Sequence, residues 1–186
     1  MVLDKDEQKV FFGIYLQLIR WVNEEFRFYD DLLNRKQTAV DATKGNMVAN
    51  KLFENPEWID MYLHKNKRLS RNDRAILLEW RDYFILDAFC LIKNLKRFSI
   101  FMNTKDSQDI LYGVVGITQP FSEMFPSKDL PMFLKTVLLP FKGKIISNGM
   151  FAISDKPIDS DSKEQIYSLY QKAKDNYGVK TTLHSL

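Results

Sequence analysis

Near residue 84 the hydrophobic pattern of the chain changes period, and that change limits the fold more than any other feature. Before it, apolar residues recur every three or four positions. Val10, Phe11, Ile14, Tyr15, Leu18 and Val22 form one stripe, with Gln17, Arg20 and Glu24 away from it, which predicts a long amphipathic helix over residues 4 to about 29. After it, apolar residues come in short runs rich in Phe, Ile, Val and Tyr: FILDAFCLI, RFSIFM, ILYGVVGIT, MFLKTVLL, KIIS and MFAIS. These read as five or six strands. Their connections are too short for helical crossovers, except the segment from Pro120 to Pro131, so an antiparallel meander is expected.

Local signals refine this division. In FENPEWIDMYLHKN, Asn55 is placed to cap, Pro56 suits a first helical position and Glu57 complements the positive helix end. Ser70 followed by Asp73 resembles a capping box, with Ala75, Ile76, Leu78 and Trp80 as the apolar face behind it. The polar stretch NRKQTAVDATKGN lacks periodicity and leaves helix end, short helix and loop open. Ile166, Leu169, Tyr170, Ala173 and Tyr177 define a last helix that starts in acids and ends at Gly178. VKTTL would follow as an edge strand. Lys142-Gly143-Lys144 and Asn148-Gly149 are both spaced as tight hairpin turns, so residues 130–151 read as three consecutive strands, with Pro140 at a strand end or on an edge.

The expected architecture is therefore α+β: a helical N-terminal part over 1–82, and a small antiparallel, barrel-like sheet covered by a C-terminal helix over 83–186. One compact unit stays open as the alternative. The 186 residues, 45% hydrophobic and 27% charged, suffice for one good core or two small ones. MVLDKDEQKV carries acids where a secretion signal would be basic, and no apolar run approaches a membrane span. With Cys90 as the single cysteine, neither an intrachain disulfide nor a cysteine zinc cage can form. A cytoplasmic location fits best.

YGVVGIT, LPMFLKTVLLPFKGKIISNG and the passage LSRNDRAILLEW…FCLIKNLKRFSIFM together resemble a family of uncharacterised bacterial proteins, mostly from Firmicutes. Some of its members carry an appended SEC-C metal-binding motif. The resemblance covers residues 69–183 and implies no activity. The cysteine-rich tail of the SEC-C members is absent here, and Ser147 and Asn148 stand where that family's tyrosine and aspartate are expected.

Motifs for chemistry are sparse. Gly143-Lys144 fails as a phosphate loop, because Leu138 and Ile145 occupy the places of its first Gly and its Ser or Thr. The GxxG of Gly113 to Gly116 lies inside a strand-like run, where a close backbone approach explains it better than an RNA clamp. His64 and His184 share no ligand spacing, Glu24-Glu25 and Asp30-Asp31 read as solvated surface, and Cys90 reads as core. No cofactor and no metal are called for, and catalysis is left undecided.

Two basic clusters and one turn remain. Lys65, Lys67, Arg68 and Arg71 precede one helix; Lys93, Lys96 and Arg97 join the first two strands; Lys142 and Lys144 frame the KGK turn. Together they supply cations for a phosphate backbone, and Phe98 and Tyr112 would add stacking faces. The net charge of +3 keeps the global field weak. The leading expectation is a non-catalytic interaction module for protein or nucleic acid, without membrane association. The alternative is an enzyme or small-ligand binder with a pocket between the helical and β parts. A homodimer through an edge near Pro140 or VKTTL is open as well.

Overall fold

The computed structural model describes residues 1–30, 32, 42–103 and 109–183. Asp31, residues 34–41 of the polar stretch, residues 104–108 and His184 lie outside the described residues. The fold is α+β, and the chain separates into two compact units. Asp4–Phe84 form one, while Met1–Leu3 join Ile85–Leu186 in the other.

The helical unit contains α1 (Lys5–Phe26), α2 (Ala42–Glu54), α3 (Glu57–Lys65) and α4 (Arg71–Tyr83). At the start of α1, Asp4 accepts from the backbone N–H groups of Asp6 and Glu7, while Glu7 accepts from the Asp4 N–H at 3.0 Å. This reciprocal cap satisfies donors that the first helical turn leaves open. The buried stripe of α1 runs through Phe11, Ile14, Tyr15, Leu18, Ile19 and Val22. Trp80 of α4 is fully buried, with its ring 5.6 Å from Phe11 and 6.0 Å from Tyr15. Ser70 caps α4 through the Asp73 N–H, but the buried residues there are Ile76, Leu77 and Trp80, whereas Ala75 is exposed. Asn55 does not cap α3. Its amide turns back to the Lys51 carbonyl at the end of α2, and Pro56 takes the N-cap place without a side-chain bond.

Gly13 lies inside α1 with nothing within 4 Å of the position a Cβ would take. Gly13→Ala should therefore raise unfolding free energy by about 0.5 to 1 kcal/mol, by removing backbone freedom from the unfolded chain. Urea denaturation measures that gain directly.

The second unit is built on β1 (Ile85–Asn94), β2 (Ser99–Asn103), β3 (Ile110–Val115), β4 (Met132–Phe141), β5 (Lys144–Ser147) and β6 (Ala152–Ile153), with α5 (Phe121–Met124) between β3 and β4 and α6 (Ser160–Tyr177) after β6. The strands do not form a simple meander. They run in the order β1-β2-β3-β5-β4-β6, and β1 pairs with β4 as well as with β2, so five strands close into a ring. β3 and β5 are parallel; the other pairings are antiparallel. α5 lies in the one connection long enough to carry the chain from β3 across to β4.

Alternation of side chains decides what fills the ring. Phe89, Leu91, Phe101, Tyr112, Val114, Leu134, Leu138 and Ile145 form one buried cluster, joined by Phe121 and Phe125 from α5 and its end. Phe101 is fully buried, with ring centroids at 5.1 Å from Phe121 and 6.1 Å from Phe89. The alternate residues Cys90, Ile92, Ile100, Met102 and Leu111 point outward and are covered by Ile166, Tyr170 and Ala173 of α6. Leu169 and Tyr177, expected on that inner face of α6, are instead exposed.

The segment that reads as three strands has a different geometry after its first turn. Lys142 and Gly143 both take positive φ, 48° and 73°, as a two-residue hairpin between Phe141 and Lys144 requires. Asn148-Gly149 makes no hairpin. Leu138 faces Ser147 and Leu134 faces Ile153, so four steps along β4 match six along residues 147–153, and β6 continues along the edge that β5 began. Two extra residues are absorbed as a bulge. The Thr136 hydroxyl donates to the Met150 carbonyl at 2.7 Å, and the Met150 N–H donates to the Asn148 side chain. Pro140 stands beyond Leu138, the last residue paired with β1. VKTTL contributes one bridge, in which Lys180 exchanges backbone bonds with β3 at Gly113 and Leu111, both 2.8 Å.

Candidate nucleic-acid interface

The ring brings two of the three basic groups onto one unit. Ser99, Val114, Ile145 and Pro140 stand side by side across β2, β3, β5 and β4. Residues 95–98, the β1–β2 loop, lie to one side of that line; the Lys142-Gly143 turn lies to the other. The two tips therefore bracket the outer side of β2 and β3 from opposite ends. Lys93, Lys96, Arg97 and Lys142 are exposed, and Lys144 is half-buried. A register shift between Leu91 and Lys93 marks a bulge at the end of β1, which aims the chain as it enters the loop.

Lys142 is notable for its backbone. A non-glycine residue in the left-handed region carries a steric penalty, and Asn, Asp or Gly is the common choice at this hairpin position. The ammonium group lies 5.7 Å from the centroid of the Phe141 ring, a cation–π contact that steadies the long side chain.

The aromatic part of the expected surface is not there. Tyr112 points into the ring and is buried against Phe89, whose centroid is 6.1 Å away, so it cannot stack on a base. Phe98 is half-buried beside the α6-covered cluster, and its ring lies on Gly113, 3.0 Å from where a Cβ would be. That contact explains Gly113 as a site of close approach. Gly116 is the same kind of site, since a Cβ there would overlap the Gln119 carbonyl oxygen.

Lys65, Lys67, Arg68 and Arg71 belong to the helical unit and are exposed. Lys65 is engaged within that unit: it pairs with Glu25 at 2.5 Å and sits 5.8 Å from the Trp21 ring centroid. Glu24 is exposed. A cleft of about 220 Å³ at the end of α1 is lined by Arg20, Asn23, Glu24, Arg27, Tyr29 and Asp30, two cations against two acids. Asn23 there is spent on backbone, donating to the Tyr29 carbonyl and accepting from its N–H. Among the described residues, no three His, Cys, Asp or Glu side chains gather as a metal-binding group, and no helix is long and apolar enough to cross a membrane.

Cys90 is fully buried under α6, and desolvation pushes its thiol up to about 12. Thiolate, the reactive form, is then scarce at neutral pH. A disulfide reagent at pH 8 should leave the native protein unmodified and titrate one thiol after denaturation; rapid labelling of the native protein would contradict that burial.

No protein-family model, curated protein sequence or solved structure matches the chain.

Proposed function

We propose that the protein is a non-catalytic nucleic-acid-binding module whose contact surface is the pair of basic loops on the five-strand ring. The observation that carries this reading is Lys142, an exposed cation held in a strained turn position. It brackets the same two strands as Lys93, Lys96 and Arg97. The turn requires positive φ at this position but not a lysine, and a cation kept there at a steric cost points to a use for the side chain. The strand order and the helix between β3 and β4 resemble the five-stranded Greek-key barrels that bind oligonucleotides and oligosaccharides through these same loops. Fold likeness alone does not assign a ligand; the charge of the loops favours a polyanion over a neutral sugar.

Lys142→Asn separates the two roles of that residue. Asparagine tolerates positive φ, so the variant should gain about 1 kcal/mol in stability while binding nucleic acid more weakly. A variant that binds equally well would remove Lys142 from the interface. For the function itself, protein purified at low ionic strength should carry material absorbing at 260 nm that 1 M salt or nuclease removes. Protein that emerges clean, and does not take up added nucleic acid, would count against the proposal.

A further inference from the structure

Resting on that reading, we infer that the interface recognises the phosphodiester backbone alone, without reading bases. In barrels of this connectivity, a bound strand crosses the outer side of β2 and β3, where aromatic rings stack on its bases. Here that side is closed. Ile100, Met102 and Leu111 are at most 1% exposed and share a cluster with Ile166, Tyr170 and Ala173 of α6. They are also aliphatic, and no ring or hydrogen-bonding side chain among them could address a base. The two aromatic residues expected to stack on bases are committed elsewhere: Tyr112 faces the interior and Phe98 lies on Gly113.

Cations stay accessible beside that closed side, at the end of β1, in the β1–β2 loop and at the KGK turn. Lys93, Lys96, Arg97 and Lys142 are exposed at the two ends of the closed face. Side chains of this kind position a nucleic acid through its phosphates and carry no sequence information. Their number also bounds the salt dependence. Four contacts, each releasing counterions, give a slope of log affinity against log salt of about −3 to −4 on duplex DNA.

The test uses the full chain and fluorescence anisotropy with labelled 24-nucleotide probes: a mixed-sequence duplex, an A·T-only duplex, and the strands dT24 and dA24. Vesicles of phosphatidylserine and phosphatidylcholine serve as a second polyanion. The expected result is affinities within about threefold among the nucleic acids, the predicted salt slope, and at least tenfold weaker vesicle binding. A tenfold preference for one sequence, or strand binding that survives 0.5 M salt, would show base contacts and overturn the inference while leaving the proposed function standing. Vesicle binding as strong as duplex binding would overturn it too, and failure to bind any nucleic acid would sink the proposed function and the inference together.

Discussion

Gly116→Ala is expected to destabilise the second unit by about 3 kcal/mol, the upper range for forcing an atom into a packed site. The obstacle is the Gln119 carbonyl, with Pro120 Cα 3.4 Å away, so no flexible side chain can move aside. Gly116 itself cannot retreat easily. Its carbonyl accepts from the Leu3 N–H at 3.1 Å and its N–H donates to the Met1 carbonyl at 3.3 Å, which ties the end of β3 to the first residues of the chain. Urea unfolding of Gly116→Ala and Gly13→Ala should therefore move in opposite directions from the parent. A Gly116→Ala protein as stable as the parent would mean that the close turn at residues 116–120 is wrong.

The second large effect concerns the loops. Replacing Lys93, Lys96, Arg97 and Lys142 together by alanine should weaken duplex binding about 100-fold or more at 50 mM salt and flatten its salt dependence, because each lost cation ends one counterion-releasing contact. Stability should hardly change, since these exposed side chains bury little surface and surface substitutions generally stay within about 0.5 kcal/mol. Relief of the strained Lys142 position is not expected from alanine, which also disfavours positive φ. Loss of binding with an unchanged urea midpoint assigns the interface; unchanged binding would clear the loops of that role.

The sequence reveals local structure well where one period or one turn decides it. The stripe of α1, the cap at Ser70 and the Lys142-Gly143 turn follow from spacing and from positive-φ preference. Asn148-Gly149 carries the same turn signal yet makes a bulge, because its outcome depends on what the residues after it pair with, and Ala152 and Ile153 pair with Lys135 and Leu134, the far half of β4. Ring closure is non-local for the same reason. The β1–β4 pairing joins Ile85 to Leu138, and nothing in either run announces the other. The orientation of Tyr112 was hidden by its setting. ILYGVVGIT is apolar on both faces, since one side meets the ring interior and the other meets α6, so alternation could not say which way the ring points. Lys142 could be placed at a turn from sequence, but its strain became visible only with its backbone angles.

The most direct measurement is an equilibrium titration of the 186-residue chain into a labelled mixed-sequence duplex at about 50 mM salt, repeated at about 300 mM. Saturable binding in the micromolar range that falls steeply at the higher salt is the expected result, as for proteins held mainly by phosphate contacts. A flat anisotropy trace up to about 100 μM protein at the lower salt, the weak end of non-specific binding, would contradict the assignment of the basic loops to nucleic acid.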